Sequence, residues 1–456
     1  MAQRPISLPR VAVRFATRSD LQPPSPAAGS CRVLLCDNYN SFNRGDAAIL
    51  EGMLQSLGRA LPTPSFLVTS SFPEIAERTH GVPALDSLVS RKSSPVAILS
   101  WVVRSYAWVR RRRGRRLPAP GLSVEEESLL SSYDEADLVI GVGGSYLRSG
   151  YHRAWLRLWH LYLATLLGKP VMLYGQSLGP FSFRDPLRAW ARYVLQRLDV
   201  ITLRDAASLA TLQQLGVTRP AMEVTADAAL ALAPPPPRQG SPRSQLRVGV
   251  SVVHWHLFRR ARGFEHYRDA LAVTLDSLVE KEYASITFLS TTVAPRGSKM
   301  NVSGNRIDDV AAARAVVSTM KHRESVVIQE EPRTLRELWS EIAQFDLWIG
   351  TRMHSTIFST KARVPTVAIA YEPKTWGYFG LLDLTSFVVD IEKISPEKLG
   401  SIAISAVRRR HEIETRLANR LPALEQRAHR NAAIAARLLQ DSRSKSPITS
   451  LGCVPP

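Results

Sequence analysis

An arginine and a histidine two residues apart, in Ile349-Gly350-Thr351-Arg352-Met353-His354-Ser355, stand where a short apolar run gives way to a helical pattern. Arginine forms bidentate bonds to carboxylate or phosphate and keeps its charge when partly buried. Imidazole titrates near neutrality, so the pair suits proton transfer at an anionic substrate, although a lone histidine often has only a structural role. Gly350 permits the turn, and Thr351 can cap the helix that follows. Two further cations occupy equivalent positions. In Leu203-Arg204-Asp205, with Ser208, Asp205 reads as a helix cap, whereas Arg204 has no such role and is a second candidate anion binder. Lys374, in Tyr371-Glu372-Pro373-Lys374, follows the apolar run after His354. Consecutive strand ends lie side by side in a parallel sheet, so Lys374 can share a pocket with Arg352 and answer a doubly anionic molecule.

Two glycine-containing turns complete the candidate set. Asn43-Arg44-Gly45-Asp46 precedes a helix whose amino terminus exposes unpaired N–H groups. Gly45 would let the backbone approach a ligand while Asn43 or Asp46 accepts a sugar hydroxyl, and Asp46 reads equally well as a helix cap. Gly141-Val142-Gly143-Gly144-Ser145 can hold a phosphate or a sugar against backbone N–H groups, or can simply be a tight turn. It lacks the Gly-x-Gly-x-x-Gly spacing and a following P-loop lysine, so it does not imply nucleotide binding.

All these motifs need strands to carry them. Apolar runs at Arg32–Cys36, Ser65–Thr69, Asp137–Val142, Pro170–Tyr174 and Val200–Leu203 alternate with helical patterns. After Pro234–Pro237 the alternation resumes with runs at Leu246–Val253, Ser285–Leu289, Ser325–Ile328, Leu347–Gly350 and Thr366–Ile369. Such patterning predicts an α/β protein of two Rossmann-like domains facing a cleft, with ligands beyond the carboxyl ends of the strands. The expected division is a disordered tail at 1–30, a first domain at 31–233, a stiff proline linker at 234–245, a second domain at 246–440 and a tail at 441–456. Residues 73–121 read as an irregular basic insertion in the first domain.

The formal charge of +19 on 456 residues favours polyanions, whether nucleic acid, anionic lipid or phosphorylated substrates. No RNP motif, zinc module or basic helix with interleaved aromatics appears outside residues 101–116, which argues against specific nucleic-acid recognition. Arg110–Arg113 with Arg115 and Arg116 follow Trp101, Tyr106 and Trp108, a combination suited to peripheral contact with an anionic membrane or to a solvated loop. The longest apolar stretch, Pro95–Val109, is about 15 residues and is interrupted by Arg104, short of a bilayer span. Cys31, Cys36 and Cys453 have no metal-ligand spacing and fit a reducing compartment. The expectation is therefore a cytoplasmic, metal-independent protein, peripheral at the inner face of the membrane if it touches it at all.

The ordered motifs resemble the polysaccharide pyruvyl transferase family. They are Asn43-x-Gly45-Asp46, Asp137-Leu-Val-Ile-Gly-x-Gly143-Gly144-Ser145, Gly175-Gln-Ser177-Leu-Gly179-Pro180 and Leu203-Arg204-Asp205-x-x-Ser208, then Asp227-x-Ala229, Gly350-Thr-Arg352-x-His354-Ser355 and Val364-Pro365…Tyr371-x-Pro-Lys374. This resemblance implies a glycosyltransferase-B-like fold and phosphoenolpyruvate as co-substrate, with no cofactor. It also implies a glycan or lipid-linked oligosaccharide acceptor that becomes a pyruvate ketal, and donor-binding positions at Arg204, Arg352 and His354. On that footing Arg204 and Arg352 would clamp the donor's two anionic groups, and His354 would transfer a proton as acid or as base. Asp46 or Asp227 would be the second acid–base group. The competing expectation is a nucleotide-sugar glycosyltransferase of the same architecture.

Overall fold

The computed structural model describes residues 30–92, 94–151, 153–235, 245–253, 263–292, 301–302, 305–306 and 309–445. In the first half β1 (Cys31–Asn38), α1 (Arg44–Ala60), β2 (Pro64–Ser70), α2 (Pro73–His80), β3 (Ala84–Asp86), α3 (Pro95–Arg112) and α4 (Val124–Glu135) come first. They are followed by β4 (Leu138–Gly141), α5 (Ala154–Leu166), β5 (Val171–Gln176), α6 (Leu187–Leu195), β6 (Val200–Leu203), α7 (Ala206–Leu215) and β7 (Ala221–Val224). The second half holds β8 (Arg247–Ser251), α8 (Gly263–Glu282), β9 (Ser285–Leu289) and a small hairpin, β10 (Asn301–Val302) with β11 (Asn305–Arg306). Then come α9 (Asp309–Thr319), β12 (Val326–Gln329), α10 (Leu335–Ile342), β13 (Leu347–Gly350), α11 (Met353–Lys361), β14 (Thr366–Ala370), α12 (Pro373–Leu381) and β15 (Val388–Asp390). The last two helices are α13 (Pro396–Arg408) and α14 (Arg410–Lys445).

Each half is a parallel sheet in the doubly wound order. The first runs β3-β2-β1-β4-β5-β6-β7 and the second β12-β9-β8-β13-β14-β15. In both, the strand order reverses beside the first strand, between β1 and β4 and between β8 and β13, the switch point where such sheets open a crevice at their carboxyl ends. Central strands β4, β5, β6, β13 and β14 are buried along their whole length. This is why they read as continuous apolar runs rather than as alternating ones. The short edge strands β3, β7 and β15 have too few apolar residues to register in the sequence.

Residues 73–121 are not irregular. They supply α2, the edge strand β3 and the 18-residue helix α3, which buries Trp101, Ser105 and Val109 against the domain. The proline linker falls largely on 236–244 and the first expected tail on 1–29, outside the described residues; the second tail, expected from 441, instead begins as helix, since α14 continues through Lys445, and only 446–456 lie outside the described residues. No described helix is long and apolar enough to cross a membrane.

The last helix departs most from the expected domain division. Along α14 a stripe of buried residues at helical spacing serves two cores in turn. Leu417, Leu421, Leu424 and Ala428 join the core of the second domain, whereas Ala432, Ala435 and Leu439 join that of the first. Asn431, fully buried, marks the crossing. Its side chain accepts from Thr225 Oγ1 (2.7 Å) and donates to the Ala226 (3.2 Å) and Ala428 (3.0 Å) carbonyls. Replacing Asn431 with Ala strands these buried partners. It is expected to cost about 1–3 kcal/mol, read as a lower urea midpoint at unchanged slope.

Candidate active site

The two switch points face one another, and the contact between them is backbone on imidazole. Arg44 N–H donates to the Thr291 carbonyl at 2.9 Å, bringing the amino end of α1 against the second domain. Gly45 then lies directly beneath His354: a methyl group at Gly45 would stand 2.3 Å from His354 Nδ1. Glycine is required here for close approach. The expected roles in this turn divide differently from the sequence reading. Asn43 is the helix cap, accepting from Gly45 N–H at 3.0 Å, so its side chain is committed to the backbone. Asp46 is released from capping and points into the cleft, where its Oδ1 accepts from the Tyr146 hydroxyl while the buried Oδ2 has no hydrogen-bond partner among the described residues.

Burial pushes the Asp46 carboxyl above its ordinary value, only partly offset by Tyr146 and by the nearby His354, Arg157 and Arg204. Tyr146 owes its position to the glycine turn. Gly144 adopts φ +155° beneath the Tyr146 ring, and Gly143 packs so closely on the Tyr174 carbonyl that a methyl there would come within 2.8 Å. Ser145 is half-buried between them. The turn thus acts by placing Tyr146 over Asp46. Behind Tyr146 the buried Arg157 guanidinium sits 4.5 Å from the ring centre and donates to the Asp37 carbonyl, while Asp37 holds His160 at 2.9 Å.

His354 projects from the first turn of α11. Its Nε2 is buried without a hydrogen-bond partner among the described residues and lies 3.6 Å from Asp227 Oδ2, within ion-pair range but beyond a hydrogen bond. Asp227 accepts from Arg204 Nη1 at 2.6 Å, and its Oδ1 accepts from Ala229 N–H at 2.9 Å. Burial alone would raise its pKa, but Arg204 and then His354 hold it well below the usual carboxylate range. Arg204 is therefore not the open clamp expected from the sequence. It is 6% exposed, and it spends its guanidinium on Asp227 and on Ser177 Oγ (2.7 Å). Asp205 caps α7 as expected, accepting from Ser208 N–H at 2.8 Å.

Arg352 is itself the cap residue of α11, whereas Thr351, the expected cap, shares a hydrogen bond with the Tyr267 hydroxyl at 2.7 Å. The Arg352 guanidinium grips the fully buried Asp309 with Nε (3.2 Å) and Nη2 (2.7 Å), and Asp309 keeps it charged against the pull of burial. Lys374 does reach the same region. It pairs with Glu372 at 2.5 Å, and Glu372 also takes Arg148 from the first domain at 3.2 Å. Burial lowers the Lys374 pKa, assisted by Arg204 and Arg148 and opposed by Glu372. Every cation the sequence singled out thus converges here, but each is matched by a carboxylate. Tyr146, Arg148, Arg157, Asp309 and Glu372 were missed as site residues. Tyr146, Arg148, Arg157 and Asp309 acquire their roles from partners distant in sequence, whereas Glu372 sits inside the Lys374 motif but gains its second partner, Arg148, only in the fold.

Chemically, the cleft combines a carboxyl whose pKa burial raises, an imidazole near a carboxylate, and a set of cations each paired with a carboxylate. The architecture is that of the glycosyltransferase-B class. It is similar to a putative UDP-N-acetylglucosamine 2-epimerase from Listeria monocytogenes (TM-score 0.56, 11% identity, 91% of this chain and 96% of that one). It is also similar to Anabaena Alr3699/HepE, solved in complex with UDP (TM-score 0.54, 13% identity, 91% of this chain and 100% of that one). Within that class the chain belongs to the polysaccharide pyruvyl transferase family, whose model matches residues 43–373, the span that holds both halves of the cleft. Among curated relatives it is 26% identical over 396 residues to the amylovoran biosynthesis protein AmsJ of Erwinia amylovora, covering 80% of this chain and 89% of that protein.

Two substitutions test this geometry. Gly45→Ala must displace the His354 ring, and it is expected to lower turnover at least tenfold while the thermal midpoint changes little. Asp46→Asn separates activity from stability. Because the folded pKa of Asp46 is raised, the native state binds more protons than the unfolded chain above pH ~3.8, and stability falls as pH rises through the folded value. The Asn variant, freed of that penalty, is expected to melt no lower than wild type at pH 7 and to be inactive. A marked drop in melting temperature would contradict the assignment.

Proposed function

We propose that this protein transfers the pyruvyl group of phosphoenolpyruvate to two hydroxyls of a sugar in a polysaccharide or its lipid-linked precursor, forming a pyruvate ketal. The observation that carries the reading is the meeting, at Gly45, of the raised Asp46 carboxyl and the Asp227-backed His354 within a cleft rich in paired cations. The family supports pyruvyl transfer; the donor and the acceptor class belong to the proposal.

Ketal formation needs a proton delivered to the donor's methylene carbon and protons removed from two acceptor hydroxyls, with departure of phosphate. One hydroxyl proton ends on the new methyl group, and the other leaves with the phosphate. Asp46 is the better acid, since its neutral form is favoured by burial. Asp227, held ionised by Arg204, is the better partner for an imidazole that gains charge. His354 is thereby assigned the base, and Asp46 the acid. Arg352 and Lys374 would exchange part of their pairing with Asp309 and Glu372 for the donor's carboxylate and phosphate. Arg204 would act on the donor only through the field it shares with Asp227. No cofactor is required.

His354→Ala is expected to reduce phosphate release from phosphoenolpyruvate by about 10²–10⁴-fold with the fold intact. Phosphoenolpyruvate is expected to raise the thermal midpoint and Arg352→Ala to abolish that rise. Stabilisation by a nucleotide sugar instead, with no phosphate released from phosphoenolpyruvate, would establish the glycosyltransferase reading in its place.

A further inference from the structure

The helices α3, α5 and α6 lie side by side on the outer face of the first domain. Trp159 Nε1 of α5 donates to Ser105 Oγ of α3 at 3.0 Å, and the Tyr162 and Tyr193 hydroxyls join α5 to α6 at 3.2 Å. None of the three carries an aspartate or a glutamate. With Trp101, Ser105 and Val109 turned inward, α3 leaves Val96 (78% exposed), Leu99 (64%), Val103 (58%) and Tyr106 (41%) in one stripe facing outward. Beside that stripe is an aromatic shelf. Trp155 stacks on Trp190 with ring centres 6.3 Å apart, and Trp190 stacks on Tyr193 at 5.7 Å.

Arginines fringe this apolar surface. Arg110, Arg111, Arg113, Arg115 and Arg116 close the end of α3, and Arg188, Arg192 and Arg197 lie along and just after α6. Several cover aromatic faces: Arg110 lies 5.9 Å from the Tyr106 ring centre and Arg197 3.4 Å from that of Tyr193. Arg112 is the exception, paired with Asp134 of α4 at 2.6 Å. The aromatic anchors differ from those the sequence suggested. Trp101 is fully buried against His160 and Trp108 is half-buried, so the exposed anchors are Trp155, Tyr193 and Tyr106.

We propose that this α3–α5–α6 face docks on an anionic bilayer, lying in its interface. A polyanion such as nucleic acid would use the arginines but gain nothing from an exposed aliphatic stripe, and an apolar protein partner would not call for a fringe of arginines. Aliphatic residues, Trp and Tyr with adjacent arginines match the graded polarity of a lipid interface, where an amphipathic helix sinks about 5–10 Å. Anionic headgroups complement the charge. The surface also leads to the cleft, since α5 begins just after Tyr151, whose ring lies 5.8 Å from that of Tyr146. Docking would present the cleft to an acceptor held in the membrane; that clause rests on the pyruvyl-transfer reading, while the docking face itself does not.

The test is flotation of the full chain with phosphatidylcholine vesicles and with vesicles containing phosphatidylglycerol, at low and at physiological salt. Binding is expected only to the anionic vesicles. It should fall at least tenfold both for Leu99→Ser with Val103→Ser and for Arg113→Gln, Arg115→Gln and Arg116→Gln together. Thermal midpoint and phosphoenolpyruvate-dependent stabilisation should stay unchanged in both variants. Failure of the wild-type chain to float with anionic vesicles would overturn the proposal whatever the donor result. So would full binding by the Leu99/Val103 variant, particularly if duplex DNA competes equally well, because the surface would then be a general polyanion site.

Discussion

One buried carboxylate organises the interior of the cleft. Asp227 follows the last strand of the first sheet, and its two oxygens serve three masters: the Arg204 guanidinium, the Ala229 amide and, at longer range, the His354 imidazole from the other domain. Burying such a charge is tolerable only because Arg204 neutralises it at 2.6 Å, and Arg204 in turn needs Ser177 to satisfy another of its donors. The surroundings of His354 therefore depend on the residues just after β5 and β6, Ser177 and Arg204, and on the connection between the domains.

The same connection is held at its other end. Asp227 caps a short 3-10 helix, Ala228–Ala231, and Lys361 at the end of α11 donates to the Leu230 carbonyl at 2.6 Å and also to that of Leu232. Glu425 of α14 completes the Lys361 shell at 3.1 Å. Thus α11 is tied to one segment at both its ends, with His354 over Asp227 and Lys361 over the carbonyls beyond it. Where α14 crosses from one core to the other it adds a second tie. A site split between two domains keeps sub-ångström relations only if something other than the ligand sets the domain spacing, and these buried polar ties do so.

Burial then differentiates two carboxyls placed around one imidazole. Asp46, whose contact is the Tyr146 hydroxyl, is raised by burial, whereas Asp227, paired with Arg204, is held low. Two groups of the same chemistry are thereby pushed in opposite directions by their surroundings.

The sequence by itself determined the alternation of strands and helices, the division into two sheets and the motifs at the strand ends. These are local or periodic properties: apolar runs follow from strands buried on both faces, and glycines and caps follow from the turn after each strand. It also singled out Arg352, His354, Arg204, Lys374 and Asp46 as candidates, because polar residues in the turns after strands face the crevice of such sheets. Only the tertiary structure decided what each does. Arg204 proved to be spent on Asp227, Arg352 on Asp309 and Asn43 on its own helix, while Asp46 was freed by Asn43 to face Tyr146. The contrast between Trp101, buried, and Trp155, exposed, was equally hidden, since both sit in apolar stretches. Pairing energies, desolvation and exposure depend on which groups approach, over separations from 23 residues for Arg204 and Asp227 to 100 for Tyr146 and Asp46. That proximity is a property of the packed fold and has no signature in local spacing.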